Sequence, residues 1–167
     1  SQALAEGNTI QDIVFHPHIA NFLLIALQNE LFAYNILTKN LHRVLRDETS
    51  PSPFTILLPS LSRDNEIAII SADSTLNIYT ANLNYSFIKS GVVKLKREHM
   101  NTKVPPIAAS CNQSFSGAYT VFSPQNGLCL VKVKPQTGVP FLCTQNFTVP
   151  LPIACFDFCE NILTFGT

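Results

Sequence analysis

Apolar residues recur along the chain in short extended runs that are separated by polar turns. Residues 10–15 have a strand-like pattern that ends at His16-Pro17, and residues 22–27 are continuously apolar, as in a strand covered on both faces. Residues 31–36 and 41–45 follow, each after a short turn. The pattern predicts four short strands that form one antiparallel sheet.

The same pattern then repeats, which predicts a chain built from similar sheets. The middle of the second copy aligns with the first at a constant offset, since Leu31 matches Leu76 and Tyr34 matches Tyr79. Prolines lie between or at the ends of the predicted strands, where a missing N–H does no harm. The predicted units are residues 10–46, 54–97, 106–147 and an incomplete copy at 152–167. Segment 95–104 is the one stretch that fits a short helix, and a loop fits it equally well.

Composition narrows the class of protein. Lys and Arg number 11 and Asp and Glu number 11, so the formal charges cancel, and charged residues make up 13% of the chain. A nucleic-acid surface would show a basic excess, so nucleic acid is disfavoured as a partner. Disorder is disfavoured too, because 46% of the residues are hydrophobic and twelve are Phe. The sequence therefore predicts an all-β, folded domain.

The first copy resembles a WD-repeat blade. It reads Ile-x-Asp-Ile-x-Phe-His-Pro over residues 10–17, and its third strand ends in Tyr34-Asn35, where the family has Trp-Asp. The chain has no Trp, and Tyr79-Thr80 and Val131-Lys132 occupy that place in the next two copies. Asp73 alone keeps the turn aspartate of the family. The family's His–Ser/Thr–Trp–Asp network is therefore not assembled in any copy, and the resemblance is to a divergent WD40-like β-propeller.

The resemblance implies a fold and a size. Similar propellers usually close with seven four-stranded blades, and residues 1–167 would supply about three and a half of them. An open half-propeller exposes inner strands and apolar blade faces. We therefore expect the chain to be a partial propeller, closed by remaining blades or by a partner chain.

Several residues invite a chemical interpretation. Cys155 and Cys159 share a face if they lie on one strand, but they would stand about 13 Å apart, too far for one zinc ion. With Cys111, Cys129 and Cys143 they fit reduced, buried thiols in a cytoplasmic or nuclear protein.

Histidine and aspartate offer further candidates. His16 and His18 could bind a metal with a third ligand, although structural or solvent-facing roles are more ordinary for this strand-ending pattern. Asp12 and Asp157 lie inside apolar strands, where a carboxylate needs hydrogen bonds. They are either channel acids of a propeller enzyme or partners in inter-blade or turn hydrogen bonds. No nucleophile elbow, phosphate-binding glycine loop or paired-acid motif occurs, so no catalytic, cofactor or metal residue is predicted.

One basic cluster is a candidate partner surface. Lys94, Lys96, Arg97 and Lys103 lie in the longest insertion between copies. They could dock an acidic peptide, a phosphoinositide or RNA, or they could form a charged outer strand that continues into a solvated loop.

Repeats, missing catalytic motifs and the resemblance together favour a non-catalytic scaffold that binds proteins or peptides within a complex. The alternatives are a propeller enzyme with channel carboxylates and a reader of RNA or phosphoinositides.

Overall fold

The computed structural model describes residues 9–61, 63–73 and 75–94 and the backbone of six later strands. All of its regular structure in this part of the chain is β. Two four-stranded sheets come first: β1 Ile10–Phe15, β2 Phe22–Leu27, β3 Glu30–Asn35 and β4 Asn40–Arg46, then β5 Phe54–Pro59, β6 Glu66–Ser71, β7 Thr75–Ala81 and β8 Phe87–Lys94. The later strands are β9 Ala108–Cys111, β10 Ala118–Ser123, β11 Gly127–Val133, β12 Pro140–Cys143, β13 Cys155–Cys159 and β14 Ile162–Gly166.

Every sheet is an antiparallel meander in chain order. Sheet one is β1-β2-β3-β4, sheet two is β5-β6-β7-β8, sheet three is β9-β10-β11-β12, and β13 and β14 pair as a two-stranded sheet. The predicted all-β fold of four-stranded antiparallel units is confirmed. The predicted assignment of residues 1–167 to one partial propeller, with its unit boundaries, stays a prediction. Segment 95–104 lies outside the described residues.

Successive sheets meet through their first strands. β1 contacts β5, β5 contacts β9, and β9 contacts β13. The sheets are therefore arranged radially around a common axis, with their first strands nearest to it, rather than as two stacked layers. This radial arrangement is the one that β-propellers use to cover the faces of their sheets.

Sheets one and two pack face to face, and this interface holds the main hydrophobic core. Alternate residues of β2 and β3 supply one side of it, including Leu24 and Leu31, and sheet two supplies Ile67, Ile69 and Tyr79 from the other. A smaller cluster lies on the opposite face of sheet one, around Ile25, Leu27 and Phe32. Because β2 buries residues on both faces, it reads as a continuous apolar run.

The first strands of sheets one and two carry the same irregularity. The register shifts between Ile10 and Asp12 where β1 pairs with β2, and between Phe54 and Ile56 where β5 pairs with β6. These bulges lie at equivalent positions, so the repeat seen in the sequence extends to a backbone feature that the sequence did not signal.

Candidate functional site

The turns between strands form two rims on opposite edges of the sheets. We call the first the linker rim; it comprises the β2–β3 turn, the β4–β5 linker and the β6–β7 turn, which are joined by Phe54 N donating to Gln28 O and Ala72 N donating to Pro53 O at 2.9 Å. We call the second the hairpin rim; it comprises the β1–β2, β3–β4, β5–β6 and β7–β8 connections. There His18 Nε2 lies 2.9 Å from Ser60 O, which ties the two sheets together.

On the hairpin rim the β3–β4 turn presents an exposed leucine from a fixed backbone. Asn35 Oδ1 accepts hydrogen bonds from Leu37 N at 2.9 Å and from Thr38 N at 3.1 Å. Lys39 completes the turn with a φ of 57°, in the left-handed region. The Leu37 side chain is 72% exposed. An asparagine side chain that replaces a backbone acceptor in this way stabilises a tight turn.

The β7–β8 turn of sheet two repeats this device. Asn82 Oδ1 accepts from Asn84 N at 2.9 Å and from Ser86 N at 3.0 Å, and Tyr85 adopts a φ of 56°. Leu83, which follows the asparagine, has a fully exposed side chain. Two equivalent turns therefore each hold a leucine in solvent, and each is braced by an asparagine. Sequence reasoning missed both leucines, although Asn before a strand break is a recognisable turn signal.

The linker rim contains a buried polar network between sheets one and two. Asp47, just after β4, is 6% exposed. Its Oδ2 accepts from Tyr79 Oη at 2.6 Å and lies 2.7 Å from Lys89 Nζ. Its Oδ1 accepts from Thr49 Oγ1 at 2.6 Å and from Thr49 N at 2.9 Å. Lys89 Nζ also lies 5.8 Å from the centroid of the Tyr79 ring.

The network fixes the charge states of its members. Burial by itself would raise the pKa of Asp47, but hydrogen bonds from Lys89, Thr49 and Tyr79 outweigh it and hold this pKa well below its ordinary value. Burial and the neighbouring Asp47 carboxylate raise the pKa of Tyr79. At neutral pH the site is therefore an ionised carboxylate that accepts from a neutral phenol, with Lys89 Nζ 2.7 Å away. All its members already bind one another, so it braces the sheets.

This network lies where the sequence predicted that the bracing network typical of WD-repeat blades would not be assembled. Tyr79 stands at the position where the resembling family has its Trp, and its hydroxyl binds Asp47. Asp47 and Lys89 supply a different set of partners for the same buried ring. A buried tyrosine hydroxyl normally finds a hydrogen-bond partner. This rule was the one available signal in the sequence that Tyr79 would have such a partner.

A second polar cluster lies at the hairpin rim around His16, which is 8% exposed. His16 Nδ1 accepts from His18 N at 3.2 Å and from Ile19 N at 3.0 Å. Burial, and then the charge of His18, lower the pKa of His16, while a hydrogen bond to the backbone of Asp64 acts the other way. Both rings contact backbone groups, which is consistent with the structural role considered for His16 and His18.

Tyr85 packs against this cluster. Its ring centroid lies 5.8 Å from that of His16 and 5.3 Å from that of Phe87. Its buried hydroxyl has no hydrogen-bond partner among the described residues. Burial and the Asp64 charge raise the pKa of Tyr85 to about 12. The cluster joins one loop of sheet one to two loops of sheet two.

Asp12 makes the inter-blade bond that was one of its two predicted roles. Its Oδ2 accepts from Leu57 N of sheet two at 2.8 Å, and its Oδ1 accepts from Ile13 N at 2.8 Å. Asp157 lies within β13 and pairs with Thr164 of β14. Its side chain lies outside the described part of the structure, so the pairing of channel acids stays a prediction.

The other predicted residues are placed only in part. Cys155 and Cys159 occupy the two ends of β13, which is the extended arrangement expected from the sequence. Lys94 is the last residue of β8 and pairs with Thr75. Lys96, Arg97 and Lys103 lie outside the described residues. Within the described part of the chain, no group of three or more His, Cys, Asp or Glu side chains could hold a metal ion.

No family model and no curated protein matches the sequence. Solved structures do match the fold. Sqt1 of Saccharomyces cerevisiae superposes with a TM-score of 0.68 at 5% identity, over 90% of this chain and 38% of that one. The WD40 repeats of RRP9 give 0.67 at 8% identity, over 96% and 45%. A chain of the Mitotic Checkpoint Complex gives 0.52 at 14% identity, over 67% and 33%.

These comparisons concern architecture, because all the identities are low. The chain spans less than half the length of the solved chains that it matches. No helix long and apolar enough to span a membrane occurs among the described residues. The structure has four-stranded antiparallel sheets in a radial order, and solved WD40 repeats are among its structural neighbours. This chain therefore has the fold of a WD40-repeat β-propeller.

Proposed function

We propose that the chain is a non-catalytic protein-interaction scaffold, a WD-repeat-like subunit of a multiprotein complex, and that it docks a protein partner through its hairpin rim. The observation that carries the proposal is the pair of braced turns that hold Leu37 and Leu83 in solvent. Apolar side chains on a rigid backbone lose little conformational entropy when they bind, so they suit a docking surface.

The rest of the rim is compatible with this role. Phe15, at the end of β1, is 70% exposed and lies at the same edge of sheet one as Leu37. Ile36 precedes Leu37 and is also exposed, and its N–H is held by Asn21 O at 2.8 Å. Of the polar side chains buried nearby, His16 is occupied by backbone hydrogen bonds, and the Tyr85 hydroxyl has no partner among the described residues. The hairpin rim therefore offers apolar contacts on an ordered backbone, which supports a binding role rather than a catalytic one.

One structural neighbour belongs to a named assembly, the Mitotic Checkpoint Complex. That likeness supports a scaffold role for this fold and carries no partner over to this chain. The reduced cysteines expected from the sequence favour an intracellular home, cytoplasmic or nuclear. Lys94, Lys96, Arg97 and Lys103 remain a proposed second partner surface, and no cofactor is part of the proposal.

The experiment compares partners recovered with the full-length protein and with a double variant, Leu37→Asp and Leu83→Asp. The proposal expects the double variant to lose a defined set of partners, because a charge at a desolvated contact is costly. Val92→Asp is the matched control, since Val92 is an exposed apolar residue of β8 away from the hairpin rim. Equal recovery with all three proteins, each shown to be folded by thermal unfolding, would contradict the proposal.

A further inference from the structure

The linker between β4 and β5 carries two serines that are each followed by proline. Residues 47–53 read Asp-Glu-Thr-Ser-Pro-Ser-Pro, and none of them belongs to a strand. The linker is fixed at both ends, since Asp47 N donates to Asn29 O at 3.0 Å and Phe54 N donates to Gln28 O. It is thus an irregular segment whose two ends are hydrogen-bonded to sheet one.

Between these attachments the serines are held weakly. Ser50 N lies 3.4 Å from Asp47 O, which is a long hydrogen bond, and Ser50 Oγ donates to Ser52 O at 2.9 Å. Pro51 and Pro53 are exposed and have no N–H to donate. Moving both serines off the rim breaks these two local bonds and the bond that Ala72 N donates to Pro53 O at 2.9 Å, while the strand pairing of both sheets stays intact.

The linker also borders an open space. A cleft of about 400 Å³ is lined by residues 50–53 together with Gln11, Gln28 and Asn29. No charged side chain lines it. Carboxamide N–H groups can donate to the oxygens of a phosphoryl group, and no carboxylate in this lining would repel one. The cleft has room for a phosphoryl group on either serine.

We infer that Ser50 and Ser52 are phosphorylation sites for a proline-directed serine kinase, a class of enzyme that modifies serine directly before proline. In the reaction the serine Oγ attacks the γ-phosphorus of ATP, and a new Oγ–P bond forms. The bond from the γ-phosphorus to the oxygen that bridges it to the β-phosphorus breaks, and ADP leaves with that electron pair. The hydroxyl proton passes to the catalytic aspartate of the kinase.

The modification would change the character of the linker rim. Each phosphoserine adds about −1.5 to −2 charges at pH 7. The present lining is uncharged, so phosphorylation would turn a neutral cleft into an anionic one. This inference stands apart from the proposed docking at the hairpin rim, because it concerns the opposite edge of the sheets.

The test treats the native full-length protein with a purified proline-directed kinase, Mg²⁺ and ATP, and locates the phosphate by mass spectrometry. We expect phosphate on Ser50 or Ser52, lost at each site in Ser50→Ala and Ser52→Ala, and lost at the preceding serine in Pro51→Ala and Pro53→Ala. Ser123 is a control within the chain. It precedes Pro124 but is the last residue of β10, paired with Gly127, so it should stay unmodified in the native protein.

Three results would overturn the inference. The first is the absence of phosphate from Ser50 and Ser52 in both native and urea-unfolded protein. The second is phosphate on these serines only after unfolding. The third is phosphate on Ser123 of the native protein as readily as on the linker serines. The alanine variants remove at most one side-chain hydrogen bond, so thermal unfolding serves to show that each one is folded.

Discussion

The hydroxyl of Tyr79, in the third strand of sheet two, donates a 2.6 Å hydrogen bond to the carboxylate of Asp47, which follows the last strand of sheet one. The two residues are 32 positions apart in the sequence. Tyr79 is fully buried, and Lys89 and Thr49 complete the shell around the carboxylate. This pair joins consecutive sheets where a typical WD-repeat blade uses a tryptophan network.

Tyr79→Phe removes the hydroxyl and leaves one oxygen of the buried carboxylate short of a donor. We expect the free energy of unfolding to fall by about 1–3 kcal/mol, measured by urea denaturation. Tyr34→Phe is the matched control, because Tyr34 holds the equivalent position in sheet one and is only partly buried. Equal losses in the two variants would contradict the bracing role of the Tyr79 hydroxyl.

Acid should weaken the contact between sheets one and two through Asp47. The pKa of Asp47 in the folded chain lies below its unfolded value of about 3.9, so its contribution is complete above that pH and is lost as the pH falls below it. Unfolding free energies measured from about pH 6 down to about pH 2.5 should therefore fall more steeply for the natural chain than for Asp47→Asn. Parallel curves would show that the carboxylate is not stabilised by its neighbours.

His16 should add a second pH dependence in a higher range. Its folded pKa lies below the unfolded value of about 6.5, so the neutral ring stabilises the fold above that pH, and the contribution is lost as the pH falls below it. Protonation would also turn Nδ1 from an acceptor into a donor facing two N–H groups. The neighbouring titratable groups are His18, Asp64 and Tyr85.

The measurement is the free energy of unfolding between about pH 7 and about pH 5 for the natural chain and for His16→Asn. Asparagine offers an oxygen acceptor to the same turn but does not titrate. We expect stability to decrease toward pH 5 in the natural chain and to stay flatter in the variant. A variant with the same slope would remove His16 as the source.

Asp12→Ala tests the bond between the first strands of sheets one and two. It leaves the buried Leu57 N–H without its acceptor, so we expect a loss of about 1–3 kcal/mol in unfolding free energy. Asp12→Asn keeps one oxygen acceptor and should lose less. Glu48→Ala, at a highly exposed carboxylate, is the control for removal of charge, and a loss as large as that of Asp12→Ala would count against the bond.

The sequence predicted the strands well where hydrophobic pattern decides them. Residues 10–15 and 22–27 were predicted with the bounds that β1 and β2 have in the structure. For β2 the reason is that a strand covered on both faces reads as a continuous apolar run. Tyr85 has strong strand propensity, yet Asn82 holds it in a turn with positive φ, and β8 begins at Phe87.

The candidate sites were predicted less well, because their partners come from distant parts of the chain. In the sequence Asp47 is one charge of a polar linker, and only packing of the two sheets places it beside Tyr79. The two exposed leucines were missed for a different reason. Leucine is typical of a hydrophobic core, and the turn geometry that places Leu37 and Leu83 in solvent depends on side-chain hydrogen bonds of Asn35 and Asn82.

An experimental structure of the full-length protein tests the central claim most directly. Our account predicts four-stranded sheets arranged radially, the Tyr79 hydroxyl within hydrogen-bond distance of Asp47, and Leu37 and Leu83 in solvent or against a partner on one shared rim. Sheets stacked in two layers, or the two leucines packed inside the chain's own core, would contradict it.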